Sequence, residues 1–145
     1  MIQRKQSIWL FIAALLNAGV FYFDLYRAHM NANGADIIMP LRVADHFPSL
    51  LIALLMTALP FISIFMFGNR KQQIRMSFGG ILAIVAFITL LMFRVTSLDK
   101  LIPPPTSGTY WIGSVLPVIS VVFMFMAIAG IRRDDKLVKS VDRLR

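Results

Sequence analysis

At 145 residues the chain is one domain's worth of polypeptide, yet 58% of it is hydrophobic, 15% is charged and the mean hydropathy is +0.74. That balance excludes an ordinary soluble globule and points to an integral membrane protein. Fifteen Lys and Arg face seven acids, all Asp, for a net charge of +8, and the absence of Cys excludes disulfide scaffolds, Cys-ligated zinc, iron–sulfur clusters and thiol catalysis.

Crossing a hydrocarbon layer about 30 Å thick takes about 20 mainly apolar residues. The first such run is Ile8 to Tyr26, entered after Arg4-Lys5. That basic start also fits a secretory signal, but apolar and aromatic residues continue through Phe21-Tyr22-Phe23 with no good small-x-small site after them, so an uncleaved anchor is expected. Asn17 falls about 13 Å into the span, near the midplane. Asp24 falls near its outer edge.

The loop that follows is marked by Asn33-Gly34 and Pro40. His29 and His46, with Asp36 and Asp45, offer metal-ligand chemistry, but the histidines stand at opposite ends of the loop without the short fixed spacing that a metal motif needs. Solvated or structurally hydrogen-bonded histidines are expected instead, and no cofactor.

Span two, Phe47 to Phe67, holds Thr57 and Pro60; the proline removes one helical hydrogen bond and frees the carbonyl of Met56. Membrane helices accept this where a neighbour satisfies the freed group. A connection of only Gly68 to Arg75 makes span three, Met76 to Phe93, an antiparallel neighbour. Gly79-Gly80 permits a close helix approach there. Arg94 ends span three about 27 Å above Met76, while Asp24 stands about 24 Å above Ile8, so the two reach one outer level. An Asp24–Arg94 ion pair is expected, with Arg27 as a competing partner for the carboxylate.

Pro103-Pro104-Pro105 separates span four, Tyr110 to Ile131, in which Pro117 frees the carbonyl of Gly113. Ser120 lies at the depth of Asn17 and Thr57, and the three are expected to hydrogen-bond between helices. Tyr22, Tyr26, Tyr110 and Trp111 near one boundary and Trp9 near the other suit an aromatic belt. The tail, Arg132 to Arg145, wound as a helix, aligns Leu137, Val138, Val141 and Leu144 in a stripe flanked by Lys136, Lys139 and Arg143. Such a segment lies on an anionic membrane surface or docks against a partner helix.

Cytoplasmic segments carry the excess of Lys and Arg. Eleven of them fall on the N-terminus, the Arg70-Lys71-Arg75 loop and the tail, and four (Arg27, Arg42, Arg94 and Lys100) on the other side. Both termini are therefore expected inside. The charge reads as topology, and nucleic-acid binding is not expected. The resulting fold class is an all-α, up-down four-helix membrane bundle over residues 1–131, followed by a cytoplasmic amphipathic helix over 132–145.

The start Met1-Ile2-Gln3-Arg4, the loop Asn69-Arg70-Lys71-Gln72-Gln73-Ile74-Arg75 and above all the ending Ile131 to Arg145 (IRRDDKLVKSVDRLR) resemble a family of small four-helix membrane proteins catalogued as a domain of unknown function in Bacteroidetes-type bacteria. The resemblance covers the whole chain. It implies a bacterial inner-membrane protein and brings no catalytic residues with it.

With no nucleophile–base pair, metal cluster or phosphate loop, the leading expectation is a non-catalytic inner-membrane subunit or assembly factor. Its contacts would run through Arg70, Lys71, Arg75, Leu137, Val138, Val141, Arg143, Leu144 and Arg145 to a membrane-protein partner within the lipid bilayer. A small oligomeric transporter and an outer-surface enzyme are the alternatives. Ala14 and Ala18 would also permit self-association.

Overall fold

A computed structural model describes residues 3–32, 35–66, 68–101 and 104–142. Four helices carry most of the chain: α1 (Gln3–Ala18), α2 (Phe47–Phe65), α3 (Arg70–Leu98) and α4 (Ile112–Asp142). Three stretches, Phe47–Phe65, Arg70–Leu98 and Ile112–Leu137, are long and apolar enough to cross a membrane; the apolar helical stretch Gln6–Phe21 is shorter. The α1 helix packs against α2 and α4, and α3 against the same two.

Local chemistry sets the helix ends. The first helix stops at Ala18 and tightens into a 3₁₀ turn, Gly19–Phe21, where the Gly19 carbonyl accepts from the amides of Tyr22 (3.1 Å) and Phe23 (3.0 Å). His46 caps α2, its ring accepting from the Ser49 amide, and Pro48 sits in the first turn where a missing N–H leaves nothing unpaired. Asn69 caps α3 by accepting from the Gln72 amide at 3.2 Å.

The all-α expectation is corrected by a three-stranded antiparallel sheet, β1 (Tyr26–Ala32), β2 (Ala35–Leu41) and β3 (Ser107–Tyr110), in the order β2-β1-β3. Tyr26 pairs with Leu41 and Tyr110, and Ala32 with Ala35. Only Asn33 and Gly34 separate β1 from β2, and Asn-Gly is the dipeptide that two-residue hairpins favour. Pro40 is compatible with β2 because that strand is an edge.

The sheet also moves two expected boundaries. Tyr26 opens a strand instead of closing span one, and Tyr110 closes β3, so α4 starts at Ile112. At its other end α4 runs to Asp142 without interruption, which makes the expected separate tail helix part of the same rod.

Leu10 and Ala13 of α1, Met56 of α2, Phe87 of α3 and Met124 of α4 are fully buried in the core, whereas Leu15, Phe65, Leu82 and Phe93 face outward. Apolar side chains on all sides are what helices immersed in lipid require. Close approach of three helices occurs at Gly80, where a Cβ would come within 2.6 Å of Met124 Cε and 3.4 Å of Pro60 Cδ.

Candidate functional site

At the sheet end of the molecule one carboxylate is paired with two arginines. Asp24 follows the 3₁₀ turn and is buried. The Leu25 amide donates to the Leu41 carbonyl at 2.8 Å, extending the β1–β2 ladder and bringing Arg42 beside Asp24. Arg27 donates from Nε and Nη2 to Asp24 Oδ2 at 2.9 and 2.8 Å, and Arg42 donates from Nε to Oδ1 at 2.9 Å. The Arg27 guanidinium also lies 4.0 Å from the Trp111 ring centroid, a cation–π contact that fixes its plane.

Electrostatically, the Arg42 hydrogen bond holds the Asp24 carboxyl below its ordinary range, against the opposing pull of burial and with further help from Arg27. The same bond raises Arg42. A carboxylate held ionised between two guanidiniums is a poor proton donor; the arginines, in contrast, present N–H groups suited to an anion. Residues 21–24, with Arg27, Arg42 and Trp111, line a cleft of about 460 Å³ here.

The expected Asp24–Arg94 pair gives way to this arrangement. The chain has left the helix by Ala18, so the residue count up an ideal span misplaces Asp24. Arg94 Nη1 instead donates to the Arg42 carbonyl at 3.1 Å and to Ser49 Oγ at 3.4 Å. Arg42 thus stands between them, its backbone held by Arg94 and its side chain by Asp24.

The start of α4 is sewn onto the same segment. Trp111 donates its amide to Leu25 O at 3.0 Å, and Gly113 donates to Asp24 O at 3.1 Å. A Cβ on Gly113 would come within 2.6 Å of Asp24 O and 2.8 Å of Phe23 O, so this approach requires glycine.

Midway along the helices, Ser120 Oγ donates to Asn17 Oδ1 at 2.6 Å and Asn17 Nδ2 donates to the Met56 carbonyl at 2.8 Å. Thr57 turns away from this group and donates to Ala53 O on its own helix.

A second polar knot lies at the opposite end. Gln6 Nε2 donates to Asp134 Oδ2, and Arg70 Nη1 donates to the Asp134 carbonyl at 2.8 Å. Nearby, Gln73 Nε2 donates to Ser63 O at 3.1 Å, and Ser63 and Ser77 both donate to Gln73 O, tying α2 to α3. Sequence reasoning missed Gln6, Ser63, Gln73, Ser77 and Asp134; polar residues recurring on apolar helical faces were the available signal.

Of the expected interaction residues, Lys71, Arg75 and Leu137 are exposed and Arg70 is half-buried at this end. Val138 and Val141 fall on the last turns of α4, but their side chains, like Arg143, Leu144 and Arg145 entirely, lie outside the described residues.

The histidines are separated. His29 Nδ1 sits 3.2 Å from Asp36 Oδ2, while His46 contacts Ser49. Among the described residues no group of three or more His, Cys, Asp or Glu gathers as a metal site. Nor does any buried side-chain nitrogen or oxygen among them lack a hydrogen-bond partner.

A family model described as Domain of unknown function (DUF4293) matches residues 2–144. No curated protein and no solved structure matches the chain.

Proposed function

We propose that this chain, which belongs to the family Domain of unknown function (DUF4293), is a non-catalytic accessory subunit or assembly factor of a bacterial inner membrane. It crosses the bilayer four times with both termini in the cytoplasm, and engages a larger membrane protein through the end carrying Arg70, Lys71, Arg75 and the last turns of α4. The eleven-to-four distribution of Lys and Arg supports that orientation.

The observation that carries this reading is the unbroken run of α4 from Ile112 to Asp142. Its 31 residues extend about 46 Å, some 16 Å more than the hydrocarbon core is thick. The surplus bears Arg132, Arg133, Lys136 and Leu137, all exposed, and Asp134 anchors its base to Arg70 and Gln6. A rigid, cationic helical extension with an apolar residue is suited to packing against a partner helix. Saturation of the Asn17–Ser120 group supports a structural use for the intramembrane polar residues, rather than a transport site.

Co-purification in mild detergent from the native membrane tests the reading, using the full chain and a version ending at Asp135 that keeps the Asp134 contacts. A stoichiometric membrane partner lost on truncation is the expected result. An identical partner set for both versions, or recovery of the full chain without a partner, counts against it.

A further inference from the structure

The cleft at the sheet end has a chemistry that docking at the opposite end leaves unused. Two guanidiniums share one carboxylate there, leaving a net positive charge. Asp24 engages Arg42 only through Nε, and the Arg42 side chain is 63% exposed. Trp111 fixes the plane of Arg27, and Tyr22, 84% exposed, stands on the rim. Such a site suits a tetrahedral oxyanion, which accepts in-plane N–H bonds from a guanidinium fork.

A second cavity, of about 310 Å³, lies between α1 and α2. Its floor is small, with Ala14, Ala18 and Ala58, and its walls include Phe11, Leu54 and Phe61. On α1 the lining residues Phe11, Ala14, Leu15 and Ala18 follow helical i, i+3, i+4, i+7 spacing, and directly after Ala18 the 3₁₀ turn carries the chain to Phe21 and Tyr22 of the cleft. From Phe11 to Ala18 the stripe rises about 10 Å, the reach of roughly eight methylenes of an acyl chain.

We propose that these two cavities form one binding site for an anionic phospholipid, with its phosphate against Arg27 and Arg42 and an acyl chain in the groove between α1 and α2. The positive balance of the cleft selects the headgroup charge, and the apolar groove selects a lipid over a free phosphate ester. Asp24 keeps the arginines ordered and prevents a doubly cationic cluster from standing unpaired.

Native mass spectrometry of the full-length protein in detergent, with phosphatidylglycerol, phosphatidylcholine and glycerol 3-phosphate as probes, tests this. Phosphatidylglycerol should be retained about tenfold over phosphatidylcholine, whose phosphate is the same but whose choline cation is repelled by the positive balance of the cleft. Arg42→Gln should abolish the preference. Ala58→Leu should weaken phosphatidylglycerol retention by filling the groove, and that variant and the wild-type comparison stand even if Arg42→Gln fails to fold. Lys100→Gln, which removes an exposed charge at the same end, should change neither. Equal retention of both lipids, or a preference that survives Arg42→Gln, overturns the proposal. Displacement by glycerol 3-phosphate as effective as by phosphatidylglycerol assigns the cleft to soluble phosphate esters and overturns the lipid site.

Discussion

The side chain of Asn17 occupies the hydrogen-bonding place that Pro60 vacates on Met56. Pro60 has no N–H to give the carbonyl four residues earlier, and Asn17 Nδ2 donates to that carbonyl from α1 at 2.8 Å. Ser120 completes the group by donating to Asn17 Oδ1. One amide therefore repairs α2 and joins α1 to α4.

Asn17→Ala should lower stability in detergent by about 1–3 kcal/mol, the cost of leaving the buried Met56 carbonyl short of a donor, while Ser120 keeps its bond to the Pro117 carbonyl. Pro60→Ala restores an intrahelical donor for Met56, so Asn17→Ala should cost less in that background. Thermal unfolding of the four proteins of this double-mutant cycle gives the coupling directly. A coupling energy of zero would show that Met56 draws nothing from Asn17.

Acid should weaken the sheet end through Asp24. Its carboxyl is lowered in the folded protein from the ordinary 3.8, so its contribution is complete above that value and is lost as pH falls through the lower folded-state value. Wild type and Asp24→Asn should differ by a constant amount from pH 7 down to about pH 5, and converge below about pH 4. Melting temperatures across that range check the sign, and a gap that widens in acid contradicts it.

Two glycines should respond unequally to alanine. At Gly113 the new methyl group meets the backbone oxygens of Asp24 and Phe23, whereas at Gly80 the nearest atom is the flexible end of Met124. Gly113→Ala should cost about 3 kcal/mol or more and Gly80→Ala about 1–2, the span observed for overpacking. Denaturation of both variants in one detergent ranks them.

The opposite end offers a separate handle. Asp134→Ala removes the acceptor of the buried Gln6 amide, for an expected loss of about 1–3 kcal/mol. Arg70→Ala loses only a bond to a backbone carbonyl from a half-buried side chain, and should cost about 0.5–1.5 kcal/mol. It should also speed tryptic cleavage after Lys136, because a tie at the base of the α4 extension is gone.

Helix placement and the mid-helix hydrogen bonds were legible in the sequence because both rest on simple counting. Runs of apolar residues located α2, α3 and α4, and the depth of Asn17 and Ser120 foretold their contact. Pro60 named the carbonyl that would need a donor. Thr57 escaped because a threonine can bond to its own helix, an outcome that depth does not reveal. The sheet was harder: YRAHMNA does alternate apolar with polar, but its start merges with the apolar run of span one, ADIIMPL shows no alternation, and Asn33-Gly34 signals a hairpin more strongly than a simple break. Without the strands, residue counting places Asp24 on a helix that ends at Ala18 and gives no sign of Arg42, its partner across the ladder.

The order of synthesis is built into the Asn17 group. Met56 follows Asn17 by 39 residues and Ser120 follows it by 103, so the first bond can close while most of α3 and all of α4 are still absent. At about 5–20 residues per second the second bond comes several seconds later. During that interval the short α1 helix has α2 as its neighbour, and the carbonyl freed by Pro60 is already matched. The gap that Pro60 leaves in α2 can thus be closed by α1 before the ribosome reaches α4, the other helix that Asn17 ties.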